Sequence, residues 1–153
     1  MKKLKLFIFF LFINFGGLAL GSWLMGPGAT SSWYLELNKA PWTPPGWVFG
    51  AAWTTIMLFF SIYLTQIFSY HSTKKLKIVF TIQVFLNIIW NYIFFNQHLI
   101  SLSLISIVLL TGILFYMFFA FKTRHKFTKF LLLPYMVWLV IASSLNAYIL
   151  IYN

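Results

Sequence analysis

The feature that most constrains this chain is how far it runs without charge. No Asp, Glu, Lys or Arg occurs between Lys39 and Lys74, between Lys77 and Lys122, or after Lys129, and Glu36 alone interrupts the stretch from Lys5 to Lys39. Water cannot solvate segments of that length on a globular surface. Only 8% of the 153 residues are charged and 61% are hydrophobic, where soluble domains carry about 25% Asp, Glu, Lys and Arg. A water-soluble globule is excluded, and the expected fold is an all-α integral membrane protein held in the lipid bilayer.

The formal net charge of +10 fits that reading. The basic residues sit in short clusters between apolar runs and not along one face of a domain, so they mark membrane topology, and no nucleic-acid partner is expected. Cysteine is absent, which rules out disulfides, thiolate zinc, iron–sulfur ligation and thiol nucleophiles. Glu36 is the single acidic side chain. Carboxylate dyads, Ser-His-Asp triads and oxygen-ligand Mg or Ca sites are thereby removed. His71 and His125 fall in connections on one side of the membrane and His98 on the other, so no metal site is expected.

A spanning helix takes roughly 17 to 25 mostly apolar residues, because each adds about 1.5 Å of rise across a hydrocarbon layer about 30 Å thick. Reading between charges and helix breakers gives a single domain, 1–153, with five spans near residues 5–25, 44–69, 77–95, 101–121 and 130–151. The uncharged run 78–121 is too long for one span, and Asn96-Gln97-His98 is the polar point at which it turns. Met1-Lys-Lys-Leu-Lys with Ala19-Leu20-Gly21 has the pattern of a signal peptide, but the apolar run continues to Met25. That exceeds the roughly 7–15 residues of a signal core, so the segment is read as the first span.

Lys2, Lys3, Lys5, Lys74, Lys75, Lys77, Lys122, Arg124, Lys126 and Lys129 all lie on one side of these spans, and Lys39 alone lies on the other. The basic side is expected to be cytoplasmic, which puts the N-terminus inside and Asn153 outside.

The one sizeable connection, 26–43, then lies outside and carries Trp33, Tyr34, Leu35, Leu37 and Trp42. Such apolar content suits a segment that packs onto the bundle, with a short helix around 32–38. Thr43-Pro44-Pro45-Gly46-Trp47 reads as a helix start, with Thr43 as cap and Pro44 in the first turn. In the third span Gln83, Asn87 and Asn91 recur every four residues and share a face. In the fifth, Pro134 (read as a kink), Trp138, Ala142 and Asn146 do the same, and in the second Gly50, Trp53, Thr54 and Met57 form a comparable stripe. Trp53 and Asn87 both fall about 15 Å from their nearer surface, at mid-membrane. Two readings are open: a pocket between the second, third and fifth spans capped by the loop, or amides that bridge helices beside an interfacial aromatic belt. Gly17-x-x-x-Gly21 and Gly46-x-x-x-Gly50 have the spacing of close helix approach, within the monomer or at an oligomer contact.

Trp33-Tyr34, Leu37, Lys39, Trp42-x-Pro44-Pro45-x-Trp47-Val48-Phe49 and Trp53-Thr54, then Gln83-x-x-x-Asn87-x-x-Trp90 with Phe94-Phe95, then Pro134-Tyr135-x-x-Trp138-x-x-x-Ala142-x-x-x-Asn146, closely resemble the TspO/translocator-protein family. Its members are also called tryptophan-rich sensory proteins or peripheral benzodiazepine receptors. The likeness covers residues 33–146 in order, and the first and fourth spans carry little of it. It implies a five-helix bundle, usually a homodimer, in a bacterial cell membrane, that binds protoporphyrin IX, haem-like tetrapyrroles or flat aromatic drugs and requires no cofactor. The family's pocket aromatics correspond to Tyr34, Trp53, Phe94 and Trp138, its amide to Asn87 and its small residue to Ala142. Trp42, Pro44, Trp90 and Asn146 complete the expected ligand-binding set.

Two departures stand out. The family's Lys-Pro reads Lys39-Ala40-Pro41 here. No Lys or Arg follows Lys129 to complete the sterol pattern of animal members, and the loose matches Leu64…Tyr70…Lys74 and Leu114…Tyr116…Lys122 are of a weak type, so sterol binding is not expected. The functional classes left open are a binding sensor, an enzyme that degrades bound porphyrin in light through oxidisable Trp53 and Trp138, a transporter, and a scaffold without ligand. Hydrolytic and metal-dependent chemistry is not expected. Ion-coupled transport is disfavoured by the lack of any charged side chain within the spans.

The charge asymmetry predicts that a topology reporter fused after Asn153 is active only in its exported form and one inserted near Lys75 only in its cytoplasmic form; cytoplasmic activity at Asn153 would overturn the five-span reading.

Overall fold

A computed structural model describes residues 2–70 and 72–153; the expectation placed on His71 lies outside them. The chain forms α1 (Lys2–Leu24), a short α2 (Ser32–Glu36), α3 (Gly46–Tyr70), α4 (Lys74–Asn91), α5 (Ile100–Ala120) and α6 (Leu133–Tyr152). A π-helical turn, Tyr92–Asn96, extends α4, and a 3-10 turn, Thr128–Leu132, leads into α6. With these extensions five helices are long and apolar enough to cross a membrane. A helix is the solution because it pairs its own backbone donors and acceptors where lipid offers none.

Neighbour contacts close the spans into a ring in the order α1, α3, α6, α5, α4. One end of the ring carries the basic clusters and the other carries α2, and these are called the basic end and the loop end below. The core runs along the ring's axis. Phe60, Tyr63 and Leu64 of α3, Leu114 and Met117 of α5, and Tyr135 and Leu139 of α6 are all buried there.

Local readings that depended on where a helix begins are corrected. Thr43 does not cap α3: its hydroxyl donates to the Ala40 carbonyl at 2.7 Å, closing a turn ahead of two prolines, and the helix starts at Gly46. Pro45 cannot be preceded by helical backbone without a clash, which keeps residue 44 out of the helix. Pro134 lies in the first turn of α6, where its missing N–H costs nothing, so it starts the helix and does not kink it. The α2 helix is shorter than expected, held by Ser31, whose hydroxyl accepts from the Tyr34 amide at 3.2 Å.

The two glycine pairs differ. Gly17 and Gly21 are both buried against α4. A Cβ at Gly21 would stand 2.8 Å from the Asn91 amide nitrogen and 3.8 Å from the Ile88 carbonyl, so the first pair is a packing seam within the monomer. Gly46 and Gly50 meet nothing within 4 Å. A second tie joins α1 to α3, where buried Asn14 donates to the Ser61 hydroxyl at 2.8 Å.

Gly21→Val therefore overpacks the α1–α4 seam and is expected to cost about 1–3 kcal/mol, whereas Gly16→Val, at a site with nothing within 4 Å, leaves thermal stability nearly unchanged. Melting in mild detergent checks this, and equal melting temperatures for the two variants would place the seam elsewhere.

Candidate functional site

The four-residue spacing of polar and aromatic positions leads to one interior cavity of about 30 Å³. Its walls are Phe49 and Trp53 of α3, Asn87 and Trp90 of α4, Ile107 and Leu110 of α5, and Trp138, Leu139 and Ala142 of α6. Five of the predicted site residues, Trp53, Asn87, Trp90, Trp138 and Ala142, are thus brought together. Phe49, Ile107, Leu110 and Leu139 were missed, and α5 is a fourth contributing helix that the reading from the second, third and fifth spans omitted.

Asn87 is 8% exposed, and its side-chain amide makes no hydrogen bond among the described residues. The same holds for the indole N–H of Trp53 and of Trp138. Asn87, Trp53 and Trp138 all line this small, mostly apolar space. Their neighbours on the same helices do find partners, Gln83 through its nitrogen alone. Gln83 donates to the Tyr135 hydroxyl at 2.9 Å, and the Trp90 indole donates to Asn146 Oδ1 at 3.1 Å.

Asn146 does not line the cavity but holds its wall. Its Oδ1 also accepts from the Ser103 hydroxyl at 2.9 Å, and its Nδ2 donates to the Ile100 carbonyl at 3.2 Å. This fixes Trp90, which stacks on Phe94 with ring centroids 5.3 Å apart and planes 10° apart. Phe94 is turned inward by the π-helical turn, a device often found beside functional sites, and lies between the cavity and the loop.

Tyr34, Trp42 and Pro44 belong to the roof. Tyr34 packs on Phe94 and Phe95 with centroids 6.3 and 5.3 Å away, and burial pushes its phenol above the ordinary range, so it stays neutral. Lys39 sits over the Tyr34 ring at 4.9 Å and caps the open carbonyls of Tyr34 and Leu35 at 2.8 and 3.1 Å. Three latches tie the loop down. Trp33 stacks on His98 at 3.9 Å. The Trp42 indole donates to the Ser144 hydroxyl at 3.1 Å. The Asn38 amide nitrogens of backbone and side chain donate to Asn153 Oδ1 at 2.9 Å and to the Tyr152 carbonyl at 3.1 Å. Pro44 is half-buried where the loop enters α3.

A space of 30 Å³ admits about one water, whereas sites for drug-sized ligands measure about 300–1,000 Å³. Accommodating a flat polycycle therefore requires an aromatic wall or the roof to move. Among the described residues no carboxylate, thiol or histidine lines the cavity, so what lines it can enclose, stack and hydrogen-bond a ligand.

Comparison with known proteins bears on what such a cavity is for. The sequence pattern of the TspO/MBR family matches residues 9–152. The tryptophan-rich protein TspO of Chlorobaculum tepidum is 33% identical over 132 residues, covering 83% of each chain. That of Archaeoglobus fulgidus is 31% identical over 127 residues, 82% of each. The human translocator protein is 30% identical over 119 residues, 74% of this chain and 70% of its own.

The two amides should separate in stability. Asn146→Leu strands the Trp90 indole, while the Ser103 hydroxyl keeps the Ile100 carbonyl at 2.7 Å, and is expected to cost about 1–3 kcal/mol. Asn87→Leu breaks no side-chain hydrogen bond and leaves stability unchanged or raised. Melting of both variants is the measurement, and a destabilised Asn87→Leu would refute the view that this amide is unpartnered.

Proposed function

Because the chain belongs to the TspO/MBR family and is an integral membrane protein, we propose that it is a sensor that binds porphyrins, protoporphyrin IX above all, in the cavity between α3, α4, α5 and α6 under the α2 loop. The observation that carries this reading is the set of unpartnered groups on one apolar space: the Asn87 amide with the indoles of Trp53 and Trp138. An amide offers both a donor and an acceptor, which suits a tetrapyrrole centre that holds N–H groups and bare nitrogens side by side. Tryptophan faces supply stacking area for a flat ring. Ala142 leaves room between Trp138 and Asn146. The loop end faces outward in this proposal, so the ligand is enclosed in the outer half of the membrane.

A second reading has one observation in its favour. Trp53 and Trp138, which with Trp90 are the readily oxidised groups in the wall, both border the cavity, so a bound porphyrin excited by light would find them beside it. The protein would then also degrade its ligand. Illumination of the loaded protein should produce a new absorbance band that is missing in the dark and in the Trp53→Phe/Trp138→Phe double variant.

Titration with protoporphyrin IX in mild detergent is expected to quench tryptophan emission, less in Trp53→Phe and Trp138→Phe. Trp23→Phe, 76% exposed on α1, serves as the control and should behave as the parent. Ala142→Leu should weaken binding tenfold or more, equivalent to about 1.4 kcal/mol. Unchanged affinity in Ala142→Leu, or an equal loss of quenching in Trp23→Phe, would remove the site from this cavity.

A further inference from the structure

A groove of about 500 Å³ opens on the outside of the bundle between α3 and α6. Trp138 is the one residue that lines both this groove and the interior cavity. We propose that the groove is a doorway through which a neutral, flat, membrane-dissolved ligand passes sideways from the lipid, and that the Trp138 indole is the door. This rests on the binding reading above and adds the route and the class of solute.

The packing favours this wall over the others. The α1–α4 wall is closed by Gly21 against Asn91, and the α1–α3 wall by the buried Asn14–Ser61 hydrogen bond. The roof is latched at Trp33, Asn38 and Trp42. By contrast α6 is pinned to α3 chiefly at the basic end, through the turn Thr128–Leu132, and the two helices pack more loosely beyond it. Nor does any hydrogen bond among the described residues fix the Trp138 rotamer, whereas Trp90 is held by Asn146. Among the described residues the one ring paired with Trp138 is Phe49, edge-on at 5.1 Å.

The groove's chemistry selects its traveller. Ala51, Ala52 and Thr55 of α3 and Val137 and Ile141 of α6 form the surface, and the Thr55 hydroxyl is returned to the Ala51 carbonyl at 2.9 Å. Apart from Trp138, the remaining lining side chains are apolar. Ala51 and Thr55 lie five and nine residues from the start of α3, about 8 and 14 Å deep, so the mouth opens onto acyl chains and not onto water. An ionised group crossing at that depth would pay a heavy desolvation cost. Small side chains on α3 give the ligand its width.

The test fills the doorway without touching the cavity. Ala51→Phe and Val137→Phe are both on the lipid face, where Val137 is 57% exposed, and each is made in protein reconstituted into phosphatidylcholine vesicles. Protoporphyrin IX dimethyl ester, in which both propionic acids are capped and the molecule is neutral, is delivered from donor vesicles and followed by quenching of tryptophan emission. Entry and release should each slow about tenfold, with the equilibrium dissociation constant within twofold of the parent. Leu109→Phe, on the lipid face of α5 and 56% exposed, should leave both rates alone. Parental rates in both filled variants would overturn the doorway and leave the binding reading standing. A shifted dissociation constant without matching changes in both rates would make the groove part of the site and also overturn the doorway. No quenching in the parent would overturn the binding reading and the doorway with it.

Discussion

Hydrocarbon offers no hydrogen bonds, so every polar side chain inside this bundle must find its partner within the protein, and the structure is organised by that demand. Thr54, Thr55, Thr65 and Thr111 return their hydroxyls to the carbonyl four residues earlier in their own helices. Asn14 reaches Ser61, Gln83 reaches Tyr135, and Asn146 gathers Trp90, Ser103 and Ile100. Each cross-helix pair is modest in energy, about 0.6 kcal/mol on average in membrane proteins. What they fix is registry: a helix sliding or turning by one residue would leave both partners exposed to lipid or apolar core.

Against that background the exceptions carry information. Among the described residues Gln83 Oε1 and the Ser106 hydroxyl are buried without a partner, and the amide of Asn87 is unpaired at the cavity. Gln83 is half satisfied through its nitrogen, and a lone serine hydroxyl is a small loss. Asn87 leaves a donor and an acceptor unused together, and does so in a cavity that Trp53 and Trp138 also line. Concentrating unsatisfied polarity at one apolar point is costly to the fold, and a ligand that satisfied it would recover that cost on binding.

Much of this was legible in the sequence for a simple reason: charge and amide placement are scarce in a chain with only one acidic residue and eleven basic ones, so each polar residue carries weight. The spans follow from the uncharged runs, and the four-residue spacing of Gln83, Asn87 and Asn91 and of Trp138, Ala142 and Asn146 picks out inward faces. What was not legible has the opposite cause. Ile107 and Leu110 are ordinary apolar residues on α5, a helix apolar on all sides, where periodicity has no contrast to reveal. Phe49 and Leu139 are hidden in the same way. Asn146 shares its face with cavity residues, but spacing cannot tell a side chain that borders a space from one that props up the wall behind it. Thr43 and Pro134 were misplaced because capping and kinking signals have meaning only relative to a helix start, and in both cases that start lies a residue or more away from where local chemistry put it.

The roof and the α3–α6 wall solve different problems with different forces. The roof borders water, so it can be held by hydrogen bonds, by a stacked Trp33–His98 pair and by Lys39 seated on carbonyls of its own loop. Those contacts are specific in direction, and together they keep the roof latched. The α3–α6 wall borders lipid, where a polar latch would leave unpaired groups each time it opened. Only dispersion contacts can be broken and remade there at low cost, and the wall is accordingly built from apolar side chains, one large ring and a threonine whose hydroxyl is returned to its own helix. Trp138 combines the two requirements. Its ring has enough surface to seal the gap, and it lines both the outer groove and the interior cavity.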